Sequence, residues 1–549
     1  MTSTGPETET ETVSPGSKEM GSGDQVASSE MSEATPVEEK LPGVVRMEAF
    51  NNELKFAERC ILFMTIFLVS YGYVMDALVR NTYQGYATSS YSQHSLLSTI
   101  NVIRGVIAAV VQPLVAKLDS RPALCFIKWV TSAPILVFEI IIADITSIRS
   151  RVFFVFLPNM PYLINTWIGG QVASAVLGTT TWQWGIGMWC IIYPVCTIPF
   201  ISIMFIVGRR SSKKLPPNAA SVFLLKGEKQ RLLVELFWKL DIIGILLLTA
   251  SLSLTLIPLT LAGGETKKWK TAGILTPLIL GILISPLFVA WERRASHPIM
   301  PLYLLRDRGI WAALGLSTFM TFSWYTQADF LYTVLIVSFD FSIEAATRVA
   351  SVYSFCAVAG GVSLGLVIFK VRRLKPFILG GLGLWLIAYG ILIHFRGGTG
   401  SGSQAGVIAG QVLLGLAGGF FPYPNLAAAQ ALAKHEDLAV ITSLVLTTNN
   451  VGMALGGCVS GAIWTQTLYE RLQKDLAPNA ELATAVYASP LYVVPEYPVG
   501  TSERTAILES YRYIQRLLTI TGICLAVPMI GFALCLRNTK LAKNKPTMA

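Results

Sequence analysis

Between Arg59 and Arg537 the chain runs through about a dozen apolar blocks, parted by short loops that often carry Lys and Arg. A hydrocarbon core about 30 Å thick takes about 20 apolar residues of helix, at roughly 1.5 Å of rise each. Stretches such as Ile242 to Leu261, Ile274 to Ala290 and Leu517 to Leu536 meet that length or come close. Composition agrees: 53% of residues are hydrophobic and only 14% charged, whereas a soluble surface needs about 25% charged residues. The pattern predicts one all-α polytopic membrane domain filling nearly the whole chain.

Thirteen candidate spans are legible: 60–79, 96–117, 123–146, 152–177, 184–207, 241–262, 272–291, 310–338, 346–369, 375–395, 405–433, 438–465 and 516–536. Before them lies an acidic tail, 1–46, with nine Asp/Glu. It has too little apolar surface to offset ordering entropy, so disorder is expected. Lys and Arg in short loops stay on the cytoplasmic side. Read back from the C-terminus, the clusters at Arg537 to Lys545, Lys434, Lys370 to Lys375, Arg293 to Arg308 and Arg209 to Lys239 fall on alternate loops, all cytoplasmic together. Lys267, Lys268 and Lys270 fall outside by that scheme. Further upstream, Lys117, Arg121 and Lys128 place one end of the 123–146 span inside, while Arg149 and Arg151 place its other end inside. Either that segment is re-entrant, or the N-terminal spans are inverted, or one span is missing between Asp119 and Glu139. Fourteen spans would satisfy every basic loop and keep both termini cytoplasmic.

The net charge of +10 belongs to these loop clusters rather than to a compact basic domain, so no nucleic-acid partner is expected. Eight cysteines stand singly, without metal-ligand spacing, and the four histidines are isolated in sequence. No phosphate-cradling motif is present. These features predict neither an enzyme nor a resident metal or cofactor, and a transporter of this composition draws on an ion gradient or on none.

Ionisable residues inside hydrocarbon cost several kcal/mol and mark function by default. In the first span Tyr71, Tyr73, Asp76 and Arg80 lie within ten residues. The i to i+4 spacing lets Asp76 pair with Arg80, as a proton or substrate site or as a plain helix-end ion pair. Arg104 sits deep in the second span, for substrate or for a carboxylate such as Asp76. Glu139 and Asp144 share an apolar stretch with Arg149 and Arg151 just after it. Asp144 with the arginines reads as a charge network, and Glu139 as the deeper proton carrier or as an interfacial carboxylate. Trp324, Tyr325 and Asp329 fall in a polar, aromatic break within 310–338, suited to a bulky ligand or to an interfacial belt. Gly415, Gly418 and Gly419 lead into Phe421, Pro422, Tyr423 and Pro424, a close-packed and broken helix. Asn449 belongs to the polar run 447–450 beside Gly452, Gly456 and Gly457. A long outer loop, 467–512, holds Tyr492 among five tyrosines and reads as a lid.

The stretches 71–76 with Arg80, 82–88 (with Tyr83 and Tyr86), 141–151 and 181–189, together with Arg293-Arg294, His297-Pro298 and the long loop before the last helix, resemble the fungal siderophore-iron transporters of the major facilitator superfamily. The similarity covers about residues 50–540. The resemblance implies fourteen helices, two six-helix bundles with an extra pair between them, and proton-coupled uptake of ferric siderophores by alternating access. Iron enters that picture only as the chelate. Substrate contacts are then expected at Tyr71, Tyr73, Tyr83, Tyr86, Trp324, Tyr325, Asp329, Phe421, Tyr423, Asn449 and Tyr492. Proton coupling or charge networking is expected at Asp76, Arg80, Arg104, Glu139, Asp144, Arg149 and Arg151.

The domain reading follows: a cytoplasmic tail 1–46, a shortened N-terminal bundle 47–208, a linker with the extra helix pair 209–308, a C-terminal bundle 309–537 with the outer loop 467–512, and a tail 538–549. The resemblance also marks a departure. Family members carry a loop with an Asp and a Gly-Arg motif after the second helix, whereas residues 116–122 here run straight into a shortened segment. About one helix near 119–139 is therefore expected to be absent. A plasma-membrane or endosomal importer leads; a fourteen-helix drug-proton antiporter, or a transport-inactive variant acting as a chelate receptor, are the alternatives.

Overall fold

The computed structural model describes residues 52–117, 156–213, 237–262, 268–371, 373–433 and 437–538, with Phe50, Phe138, Ile141, Ile142, Phe154 and Val234. The expected tails apart from residue 538, the 123–146 span apart from Phe138, Ile141 and Ile142, most of the region near 119–139 where a helix is expected to be absent, and Glu139, Asp144, Arg149 and Arg151 lie outside the described residues.

Among the described residues the chain forms helices and no β-strand. An amino-terminal group comprises α1 (Phe56–Ser90), α2 (Leu97–Lys117), α3 (Tyr162–Thr179), α4 (Trp182–Gly187) and α5 (Trp189–Ser212). A pair follows, α6 (Ile242–Leu261) and α7 (Ala272–Glu292). The carboxy-terminal group begins with α8 (Arg308–Ala328), α9 (Leu331–Phe339), α10 (Ile343–Val371), α11 (Lys375–His394), α12 (Ser401–Phe420), α13 (Pro422–Leu432) and α14 (Leu438–Ile463). It ends with three short helices, α15 (Tyr469–Asp475), α16 (Ala480–Ala488) and α17 (Pro490–Val493), then α18 (Ser502–Cys524) and α19 (Ala526–Cys535). Ten segments among the described residues are long and apolar enough to cross a membrane. Helices α3 and α8 are long but less hydropathic, because they carry polar groups that the fold buries, such as Asn165, Thr166, Ser323 and Gln327.

Local chemistry sets several helix ends. Asp241, at φ 53°, caps α6 by accepting from Gly244 N at 3.1 Å, and also takes the Trp291 indole N–H at 2.8 Å, which ties α6 to α7. Asp307 caps α8 through Gly309 N at 2.7 Å. The expected break at Phe421 is real: α12 stops at Phe420 and α13 starts at Pro422, where a missing N–H costs nothing.

Close packing rests on glycine, as the sequence suggests. A Cβ at Gly419 would stand 2.5 Å from the Ala357 carbonyl, so α12 meets α10 backbone to backbone. At Gly105 it would stand 3.0 Å from Ala454 N, which brings α2 onto α14. Helix α14 thus wedges between α2 and α8, while α3 lies along α10. These pairs form the seam between the two groups.

The outer loop differs from expectation. Much of 467–512 is helical, in α15 to α17 and in the start of α18, which begins at Ser502, well before the expected 516. Hydropathy overlooks the first turns because only one face is apolar. Arg504, Ile507, Ser510, Tyr511, Ile514, Gln515 and Leu518 are buried at helical spacing.

Candidate functional site

The charged residues of α1 and α2 converge on the seam. Asp76 and Arg80 form the expected pair, with Nε and Nη2 of the arginine donating to the carboxylate at 3.0 and 2.5 Å. One helical turn separates them on the same rod, so the pair is internal to α1.

Arg104 does not join that pair. Among the described residues no carboxylate lies within salt-bridge distance of it, and its electrostatic neighbours are Tyr325, Tyr73, Tyr162, Asp329 and, more weakly, Asp76. Its side chain stays exposed in mid-helix, although groups from α1, α3 and α8 surround it. A mid-span arginine tolerates that position where it faces a polar space inside the protein. Trp324 and Tyr325 build the opposite wall with ring centroids 4.6 Å apart, and Trp324 lies 5.0 Å from Tyr353 of α10. They are half-buried inside the protein, not in a belt at its rim. The result is a chamber with one cation and an aromatic lining drawn from both groups.

Asp329, in the break between α8 and α9, is held from two sides. Asn101 of α2 donates to its Oδ1 at 3.2 Å and Ser460 of α14 to its Oδ2 at 2.8 Å. Gly457 makes room: a Cβ there would stand 3.2 Å from Oδ2.

Outward of the chamber the groups are tied by further hydrogen bonds. The His94 ring is fully buried, with Nδ1 3.0 Å from Ser89 Oγ and Nε2 2.9 Å from Thr333 Oγ1 of α9. Phe330 and Trp464, stacked at 3.9 Å, flank it. Thr82 Oγ1 meets Thr347 Oγ1 at 2.9 Å, and Ser489 donates to the Ser89 carbonyl at 2.5 Å. Tyr86 lies edge-on to Tyr332 and Tyr492, at 6.5 and 5.7 Å, beside a recess of roughly 230 Å³ that Asp340, Phe341 and Arg504 also line. At this end of the seam, which the sequence reading places outside, the two groups are therefore shut against each other.

Other expected substrate contacts sit elsewhere. Tyr83 is fully buried against Gly185 of α4, in a cluster with Met75, Val79, Ala173 and Trp189, and Tyr71 packs on the same cluster. Phe421 is likewise fully buried and meets Trp385 at 5.3 Å inside the carboxy-terminal group. In both places a large apolar ring gains more from core burial than a wet chamber offers. Tyr423 meets Phe156 at a tilt with ring centroids 4.3 Å apart, and Asn449 keeps a buried Oδ1 without a hydrogen-bond partner among the described residues. Sequence reasoning missed Asn101, Tyr162, Tyr353, Ser460 and His94. Only His94 gave a signal, as a lone imidazole between a serine-rich helix end and an apolar span.

Two groups of membrane-length helices meeting along a polar, aromatic seam define a membrane transporter. The family model for the fungal trichothecene efflux pump matches residues 53–489. Siderophore iron transporter 1 of Saccharomyces cerevisiae is 41% identical over 88% of this chain and 82% of its own length. Siderophore iron transporter ARN1 of the same yeast is 38% identical over 89% and 83%. Siderophore iron transporter mirC of Emericella nidulans is 27% identical over 94% and 90%. The chain belongs to the fungal siderophore iron transporter family of the major facilitator superfamily and is an integral membrane protein.

Proposed function

We propose that this protein imports ferric siderophores with protons by alternating access, the two helix groups rocking about the chamber at Arg104. The observation that carries this reading is the chamber itself, where Tyr73, Tyr162, Tyr325 and Arg104 converge from three helices of one group and one of the other. An iron chelate offers many oxygen acceptors and a bulky ring of methylenes. Tyrosyl hydroxyls and a guanidinium suit the first, and the flat faces of Trp324 and Tyr353 the second. The relatives named for siderophore iron transport span almost the same length, which supports the substrate class. The shut outer side suits a carrier caught after external loading or on its return.

The same reading assigns the amino-terminal group 47–208, the linker pair 209–308 and the carboxy-terminal group 309–537 as the moving parts, with both termini cytoplasmic, in a plasma or endosomal membrane. It needs no cofactor, since iron travels only within the chelate. Export is the second reading, favoured by the efflux-pump description of the matching family model.

Radiolabelled ferric siderophore, offered to cells lacking other carriers with and without a protonophore, separates these. Protonophore-sensitive accumulation is expected. Resistance to toxic compounds without accumulation points to export, and surface binding without internal label to a receptor.

A further inference from the structure

We propose that Asp329, rather than the more conspicuous Asp76, is the carboxylate whose proton is coupled to the rocking of the two helix groups. This rests on the proton-coupled reading above and adds to it the residue that does the coupling.

The argument is one of linkage. A group couples proton binding to a conformational change only if its proton affinity differs between the two conformations, because a ligand with equal affinity for both states shifts neither. Asp76 offers less of such a change, because its hydrogen-bond partner travels with it. Its partner Arg80 stands four residues along the same helix, and a helix carried as a rigid rod keeps the pair intact in every state.

Asp329 meets the requirement. From α2, in the amino-terminal group, it faces the Asn101 amide and the positive charge of Arg104. From α14, in its own group, it faces the Ser460 hydroxyl, and on α8 itself Tyr325. Parting the groups on the outer side removes the first two partners and leaves the last two. Both lost partners favour the ionised carboxylate, one as a donor and one as a cation. Proton affinity therefore differs between the two arrangements of the groups.

As the groups part and close, a carboxylate oxygen of Asp329 takes up a proton in one arrangement and becomes neutral; in the other the O–H bond breaks, the proton leaves and the carboxylate regains its charge. One proton enters and one leaves per cycle.

The test compares accumulation with exchange in proteoliposomes holding the full-length protein, using radiolabelled ferric hydroxamate siderophore. A potential of about 100 mV supports roughly a fifty-fold gradient per coupled charge. Asp329→Asn is expected to bring that gradient down to about one while label still exchanges measurably across the membrane. Asp76→Asn is expected to keep its accumulation-to-exchange ratio within about twofold of wild type, since its hydrogen-bond partner travels with it. Asn101→Ala, which removes one donor to the carboxylate, is expected to shift the pH midpoint of transport upward by about one unit. A gradient in Asp329→Asn equal to wild type, or an unmoved midpoint in Asn101→Ala should the first variant not fold, overturns the assignment while leaving proton coupling standing. A wild-type gradient indifferent to protonophore overturns the coupled reading and this assignment together.

Discussion

Buried polar groups inside the carboxy-terminal group and those along the outer seam look alike in kind but differ in what they join. Ser323 donates to the Gly522 carbonyl at 2.8 Å and accepts from the Trp385 indole at 3.2 Å, while Tyr389 donates to the Ser323 carbonyl at 2.6 Å. Asn425 ties α13 to Ala313 and Ser317 of α8. All of these lie within one group and stay made whichever way the groups rock. His94 with Thr333, Asn101 with Asp329, and Thr82 with Thr347 each join one group to the other. On the proposed rocking cycle the first set holds the scaffold and the second sets the balance between states; substitutions separate the two.

The largest effect is expected inside the group. Ser323→Ala strands the Trp385 N–H in a fully buried site, at a cost of about 2 kcal/mol. A lower melting point in detergent is expected, with transport per folded molecule unchanged. A slower turnover at normal melting temperature would erase the distinction drawn here.

Next comes Thr333→Val, which keeps the shape of the side chain and removes the hydroxyl facing His94. About 1 kcal/mol moves from the shut to the open outer state, roughly a fivefold shift in population. Labelling of a cysteine placed at Leu491, in a background without native cysteines, should quicken by that factor with little change in melting. Reduced melting with unaltered labelling would return His94 to the scaffold.

Thr82→Val should do least, about 0.5 kcal/mol and a twofold shift. Thr347 keeps its other bond, to the Ile343 carbonyl at 2.7 Å, so nothing is left unsatisfied by the loss. An effect as large as that of Thr333→Val would show that seam contacts act as a block.

Much of the fold was readable because membrane helices announce themselves by length and apolarity. Most expected spans agree with the helices to within a few residues. Asp76 with Arg80 was readable too, since partners one turn apart are fixed by helix geometry alone. The partners of His94 and Asp329 were not, because Thr333 and Asn101 lie more than two hundred residues away in the chain. The burial of Tyr83 and Phe421 was hidden for a related reason. An aromatic ring in a span looks the same whether it faces a chamber or a core, and only the neighbours supplied by other helices decide. The start of α18 escaped because its burial is one-sided, which periodicity reveals and a running average hides.

The short helices over the outer mouth are anchored unevenly. Arg504 is almost wholly buried and donates to the Val494 carbonyl at 3.1 Å and to Asp340 at 2.9 Å, while Ser510 donates to Asp475 at 2.9 Å. Towards the amino-terminal group the cap offers a hydrogen bond from Ser489 and the touch of Leu491 on Gly85 and Tyr492 on Tyr86. Such a cap is a passenger of one side, like a visor fixed to a helmet. On the proposed import cycle it would lift when its carrier swings, with little more than the Ser489 bond to release, so cargo arriving from outside would meet a single barrier instead of two in series.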